Sequence, residues 1–186
     1  MALEREIKLR FDSADEARVR VQAMGATPLR CRRLQEDSLL DTPDGYLRNR
    51  RAALRVRHEC GHSLLTFKGP PQAGPMKLRE EHETPIGDGQ VLMTILHALG
   101  FEVCFRYEKY REEFVVADVV IAIDETPVGV FVEIEGGEED IGRTASALGR
   151  SASDYITDSY RTLFEAHRER CGAKDEDMVF PDPTEA

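Results

Sequence analysis

Residues 3–11 alternate sharply: Leu3, Ile7, Leu9 and Phe11 share one parity, and Glu4, Glu6, Lys8 and Arg10 share the other. Successive strand residues point to opposite faces, so this predicts a strand with one apolar and one ionic face. Ser13, followed three residues on by Glu16, reads as a capping box that opens a helix; Val19, Val21 and Met24 supply its apolar contacts and Gly25 its stop. Alternation and turn signals predict further strands over 33–42, 53–58, 63–68, 77–85, 103–116, 119–124 and 128–135. The run Thr42-Pro43-Asp44-Gly45 closes the second strand, Cys60-Gly61-His62 joins the third to the fourth, and the Pro- and Gly-rich stretch 69–75 is a loop. Helices are predicted over 89–99, 138–148 and 159–170, the last amphipathic and capped by Thr157 or Asp158. Residues 1–172 read as one domain, and the acidic stretch 173–186, with its two prolines, as a flexible tail.

Most strands carry charges two residues apart. Glu4, Glu6 and Lys8 are followed by Asp37 and Asp41, Arg55 and Arg57, Lys68, then Lys77, Arg79, Glu81 and Glu83, then Lys109, Arg111 and Glu113, then Asp124, then Glu133 and Glu135. Their alternate neighbours are often apolar, as at Leu54 and Val56, Ile121 and Ile123, or Val130, Val132 and Ile134. A solvated outer face accounts for any one such strand. Repetition on strand after strand, with few Ser, Thr or Gln residues between, suggests a lining for a multiply charged ligand. An antiparallel sheet of this size can close into a barrel and keep one face inward. The ionic face would then line the interior, and the helices would cover an apolar exterior. Arg and Lys suit phosphate oxygens. Paired carboxylates suit Mg²⁺ or Mn²⁺, which prefer hard oxygen ligands.

Composition narrows the classes. The chain has 186 residues with 25 basic and 35 acidic side chains, a net charge of −10. That is one domain by length, and the acidic balance argues against a general nucleic-acid partner. No apolar run approaches the ~18 residues of a membrane span, and the charged N-terminus lacks a signal-peptide core. Cys31, Cys60, Cys104 and Cys171 are scattered without a CxxC pair, which suggests a reduced, cytoplasmic protein rather than a zinc or disulfide framework. The five histidines form no ligand pattern.

The N-terminal Glu4-Arg5-Glu6-Ile7-Lys8 strand resembles the ExExK signature of the CYTH superfamily, the triphosphate tunnel metalloenzymes. The resemblance continues in order. It runs through Asp37 to Gly45, Leu54-Arg55-Val56-Arg57, Thr66-Phe67-Lys68-Gly69-Pro70, Arg79-Glu80-Glu81 and Glu108-Lys109-Tyr110-Arg111. It ends with Asp124, the stretch Gly129 to Gly136, and Asp158-Ser159-Tyr160-Arg161-Thr162-Leu163, so that it spans about 3–165. It implies an α+β fold: an eight-stranded antiparallel β-barrel, the triphosphate tunnel, with a polar interior, helices packed outside and a C-terminal plug helix. It also implies that Glu4, Glu6, Asp124, Glu133 and Glu135 hold Mg²⁺ or Mn²⁺. Lys8, Arg55, Arg57, Lys68, Arg79, Lys109 and Arg111 would hold the triphosphate, with Glu81 in support. Lys68, Arg111 and Glu133 are the candidates for direct participation in catalysis.

Three activities fit this set. Metal-dependent hydrolysis of an inorganic, nucleoside or organic triphosphate needs only the clamp, metals and water. Class IV adenylyl cyclase chemistry would use the same clamp to convert ATP to cyclic AMP and pyrophosphate. A polyphosphate-binding module would have no need of the carboxylates. Thiamine triphosphatase is a weaker match: the chain has no Lys between Lys109 and Lys174 and no Trp to stack on the thiamine rings. The expected partner is a small-molecule triphosphate, with no nucleic acid and no membrane, bound by a monomer or homodimer.

Overall fold

The computed structural model describes residues 2–181; Met1 and residues 182–186, the end of the predicted tail, lie outside the described residues. The elements are β1 (Ala2–Phe11), α1 (Ala14–Ala23), β2 (Thr27–Asp41), α2 (Tyr46–Asn49), β3 (Ala53–Glu59), β4 (His62–Lys68), β5 (Lys77–Ile86), α3 (Gly89–Ala98), β6 (Glu102–Val116), β7 (Val119–Thr126), β8 (Gly129–Glu135), α4 (Glu138–Ala147) and α5 (Tyr160–Cys171). A 3₁₀ turn, Ala152–Asp154, precedes α5. The eight strands close into an antiparallel barrel in the order β1-β5-β4-β3-β2-β6-β7-β8. Closure gives every strand a partner on both sides over part of its length. It also forces alternate residues of every strand into a common interior.

The apolar faces point outward and meet the helices. Ile7, Leu9 and Phe11 of β1, Phe114 of β6, Ile121 and Ile123 of β7, and Val132 and Ile134 of β8 pack with Ala17 and Val21 of α1 and Ile141 and Ala145 of α4. Each fully buried Ile, Leu or Phe there contributes roughly 1.5–3 kcal/mol. A second patch joins Leu40 of β2 and Val56 of β3 to Leu96 of α3. Ser13 caps α1 by accepting from the Glu16 N–H at 3.1 Å, as its sequence predicts. Val19, expected to pack inward, is instead 67% exposed; Ala17 and Val21 carry the buried face. No helix among the described residues is long and apolar enough to cross a membrane.

The polar lumen ends in an aromatic plug. Phe105 and Tyr107 of β6 and Phe131 of β8 gather with Tyr160 and Phe164 of α5 and with Met178. Phe105 lies 5.7 Å from Phe164 between ring centroids, and Phe131 meets Tyr160 edge-on at 5.7 Å. Ser159, one residue beyond the predicted caps, accepts from the Thr162 N–H and starts α5.

Part of the expected loose tail is held. Met178 is fully buried and forms a parallel bridge to Tyr107. Its N–H donates to the Arg106 carbonyl and its carbonyl accepts from the Glu108 N–H, while the Phe180 ring meets Tyr110 at a tilt, 5.2 Å between centroids. β6 runs past the end of its pairing with β7, which starts at Tyr110, so its earlier residues have an open edge for this segment. The acidic composition concealed one apolar anchor, Met178.

Candidate active site

The barrel encloses a cavity of about 1060 Å³. Twelve of the thirteen residues singled out from the sequence line it: Glu4, Glu6, Lys8, Arg55, Arg57, Lys68, Arg79, Glu81, Lys109, Arg111, Glu133 and Glu135. Strand register explains the assembly. Glu6 sits opposite Glu135, and Lys8 opposite Glu133, across the β1–β8 ladder. Glu4 sits opposite Arg79, and Glu6 opposite Lys77, across β1–β5. The residue not in the cavity wall is Asp124, which lies behind it.

Asp124 is fully buried and fully engaged. Arg111 binds it through Nε at 2.7 Å and Nη2 at 2.6 Å, Lys109 donates at 2.8 Å, and the Tyr160 hydroxyl donates at 2.6 Å. Burial opposes its ionisation, but Arg111 and Lys109 overcome that and hold the carboxyl below its ordinary range. Arg111 also pairs with Glu133, which in turn meets Lys8 at 3.2 Å. Burial and the neighbouring Arg111 push Lys109 down to about 8, against the pull of Asp124. Tyr160 thus links the plug helix to the barrel wall by a hydrogen bond as well as by packing.

The adjoining β8–β1–β5–β4 side carries unbalanced negative charge. Lys68 donates to Glu4 at 2.9 Å and also to Glu81, and Arg79 approaches Glu4 at 3.6 Å. Glu6 is shared by Lys8 at 3.0 Å and Lys77 at 2.6 Å. Glu135 makes no ion pair among the described residues. Partial burial, with Glu4, Glu6 and Glu81 nearby, pushes its carboxyl up to about 7. Burial and Glu6 likewise raise Glu4. Like charges directly opposite each other on a ladder are destabilising, so Glu6 and Glu135 form a pair suited to a cation.

The donor set is of the chemical type a divalent metal takes. Glu4, Glu6 and Glu135 offer hard carboxylate oxygens on adjoining strands, and one of the three lacks a cationic partner. No group of His, Cys, Asp or Glu side chains among the described residues is already gathered to hold a metal; Glu4 and Glu6 are drawn to Lys and Arg instead.

The remaining wall is cationic. Arg57 grips Asp37 with two hydrogen bonds, at 2.8 and 3.1 Å. Arg55 lies 3.4 Å from Asp37 and donates to Thr66 at 3.1 Å. The buried Nε atoms of Arg33, Arg55 and Arg79 make no hydrogen bond among the described residues. Buried donors rarely remain unpaired in a folded protein, and each of these three has a carboxylate near it: Glu59 at 2.8 Å from Arg33, Asp37 at 3.4 Å from Arg55 and Glu4 at 3.6 Å from Arg79.

Several lining residues escaped the sequence-based site. Lys77 belongs to the charged stripe and meets Glu6; burial and Lys8 push it down to about 8. Arg33, Gln35, Glu59 and Glu113 form a further cluster on β2, β3 and β6, and Arg161 of α5 reaches the cavity. Arg48 and Arg51 also line it. Asp41 lines it too, but its carboxylate accepts from the Leu47 and Arg48 N–H groups, at 2.8 and 2.9 Å, and caps α2. The four cysteines are exposed and free.

The class of protein follows from the barrel and its ionic lumen, and sequence comparison gives the same answer. The CYTH domain family matches residues 2–160, and the chain belongs to that family. A Methanocaldococcus jannaschii protein, provisionally named an adenylate cyclase, is 31% identical over 147 residues, covering 78% of this chain and 83% of that protein. A solved Vibrio parahaemolyticus structure with the same provisional name superposes with a TM-score of 0.78 at 23% identity, covering 88% of this chain and 98% of that one. The Hippeastrum protein HpAC1, provisionally an adenylyl cyclase and described as revealing a dominant triphosphatase activity, superposes with a TM-score of 0.68 at 19% identity. It covers 88% of this chain and 96% of its own. At those identities the two solved structures support the fold alone.

Proposed function

We propose that the protein hydrolyses a triphosphate in its tunnel with the help of a divalent metal. The observation that carries this reading is the buried guanidinium nitrogen without a hydrogen bond on Arg55 and Arg79, in a lumen already lined by Lys8, Arg57, Lys68, Lys109 and Arg111. A chain of phosphate oxygens supplies the missing acceptors in a low-dielectric setting, where charge-assisted hydrogen bonds are strong.

Glu4, Glu6 and Glu135 would hold Mg²⁺ or Mn²⁺, with Glu133 beside them. When bound, the metal neutralises phosphate charge and lowers the pKa of water. The chain's own residues do the rest. Arg55, Arg57 and Arg79 orient the phosphates. Lys68 and Arg111 stabilise charge that develops on the transferring and leaving groups. Glu133, held between Lys8 and Arg111, would orient the attacking water. Asp124 positions Arg111 and Lys109 from behind the wall.

A second reading is class IV cyclisation of ATP, favoured by the name of the M. jannaschii relative. There the ribose 3′ hydroxyl replaces water as nucleophile and pyrophosphate leaves. The test is a product assay with Mg²⁺ or Mn²⁺ on inorganic triphosphate, ATP and thiamine triphosphate. Orthophosphate is the expected product. Cyclic AMP with pyrophosphate would establish the second reading, and tight metal-dependent binding without turnover would reduce the protein to a binding module.

A further inference from the structure

Helix α5 plugs the lumen, and its first residue, Tyr160, meets Lys8, Lys109 and Asp124 at once. The barrel itself leads the chain to that point. β1 pairs with β5 only as far as Glu6, so the β5-side edge of β1 is open at Lys8. Ile156 takes that edge: its N–H donates to the Lys8 carbonyl and its carbonyl accepts from the Lys8 N–H, each at 2.9 Å. A few residues on, Ser159 caps α5 and Tyr160 begins it. The approach is thus fixed at both ends, and Tyr160 lines the cavity.

The Tyr160 ring lies under two lumen cations, with Lys8 Nζ 5.4 Å and Lys109 Nζ 4.9 Å from its centroid, within the range of a cation–π contact. Its hydroxyl donates to Asp124 Oδ2 at 2.6 Å. The same oxygen accepts from Lys109 at 2.8 Å and from Arg111 Nη2 at 2.6 Å, while Oδ1 accepts from Arg111 Nε at 2.7 Å. Packing alone needs only the ring: Phe105, Phe131 and Phe164 fill the rest of the plug with plain phenyl groups. The hydroxyl serves the carboxylate. A phenol keeps its proton at neutral pH and so donates. Asp124 is fully buried, so its donors decide how it is turned. Arg111 commits Nε and Nη2 to Asp124 and Glu133, which leaves Nη1 for a ligand.

We infer that Tyr160 is a positioning residue for the reaction: through Asp124 it fixes the direction of Arg111 toward the transferring phosphoryl group, and it makes the plug helix part of the active site. This rests on the triphosphate reading and deepens it. Without the hydroxyl the ring still fills the plug, but Asp124 loses a donor at Oδ2 and the guanidinium can turn with it. A group that acts on charge developing in the transition state then loses its effect on kcat, with little change in substrate binding.

The test is steady-state turnover of tripolyphosphate and of ATP with Mn²⁺, well below the melting temperature of every protein compared. Tyr160→Phe is expected to lower kcat by about tenfold, the scale of one ionic hydrogen bond, with KM changed by less than about twofold. Phe164→Leu loosens the same plug without touching a lumen charge; it should lower the melting temperature and leave kcat near the wild-type value. In an Arg111→Gln background, Tyr160→Phe should have little further effect, because it acts through that guanidinium. Should Tyr160→Phe not fold, Ile156→Pro removes the N–H that ties the approach to Lys8 and keeps Tyr160; a smaller loss of kcat at unchanged KM is expected. Wild-type kcat in the folded variant, an equal kcat loss in Phe164→Leu, or full additivity with Arg111→Gln overturns the positioning role while leaving the triphosphate reading intact. A wild-type protein that turns over neither substrate contradicts the triphosphate reading and the positioning role with it.

Discussion

Two neighbouring clusters of the tunnel, one around Asp124 and one around Glu135, use the same residue types for opposite ends. Around Asp124 every charge has its partners: Arg111 forks onto it, Lys109 and Tyr160 complete it, and Lys8 and Arg111 share Glu133. Around Glu135 the balance fails: it faces Glu4, Glu6 and Glu81 without an ion pair of its own. A completed buried network holds structure together, because removing one member strands the others in low dielectric. An incomplete one is costly in the empty protein and is relieved by a ligand of opposite charge. Ionic side chains in one lumen therefore divide into those that position and those that bind.

The strongest break of this contrast is Asp124→Ala. It leaves Arg111 and Lys109 buried without their anion, and unfolding in urea should show a loss of about 3–5 kcal/mol, the usual cost of a broken buried pair. Glu133→Gln keeps the shape of its side chain and should leave the fold largely intact. Turnover should nevertheless fall by about a hundredfold or more, comparable with loss of a transition-state contact. Retention of full turnover would remove Glu133 from the chemistry. Arg55→Met and Arg79→Met should each weaken tripolyphosphate binding by about ten- to a hundredfold, as expected for a lost ionic hydrogen bond. Arg79→Met, which loses only a 3.6 Å approach to Glu4 among the described residues, should leave stability nearly unchanged, whereas Arg55→Met also removes bonds to Thr66 and Glu83 and should cost stability as well.

The smallest effect is on pH dependence. The Glu135 carboxyl titrates at about 7, above its ordinary value of 4.5. Its repulsion is absent below the ordinary value and fully present above about 7. Ligand-free stability should therefore fall as pH rises through that window. Mn²⁺ affinity should change the other way, strengthening as Glu135 ionises. Glu135→Gln should flatten both trends, as thermal melts and metal titrations across pH would register.

Strand alternation made most of this legible. Glu4, Glu6 and Lys8 against Ile7, Leu9 and Phe11 carry the inside–outside code of β1, and the same code locates each of the other strands. The start of β2 was hidden because Arg30, Cys31, Arg32 and Arg33 do not alternate in character, and the ladder there is irregular between Pro28 and Arg33. That irregularity also concealed Arg33 as a lumen residue. Helix α2 has only four residues, and its capping carboxylate comes from Asp41, upstream of the turn, so no local signal announces it. Asp124 could be found by sequence, but its three donors come from β6 and α5, and only the closed barrel brings them to it. Met178 was masked by the acidic residues around it; its burial depends on the open edge of β6, which is a property of topology.

The proposed function requires the lumen to bind a triphosphate on its cations and a metal on the carboxylates around Glu135. Titration calorimetry of the purified protein with tripolyphosphate, with and without Mn²⁺, tests it most directly. The account predicts saturable binding at one site per chain, markedly tighter with Mn²⁺ and weakened by Glu135→Gln. Absence of binding in both conditions, or binding indifferent to Mn²⁺ and to Glu135, would contradict it.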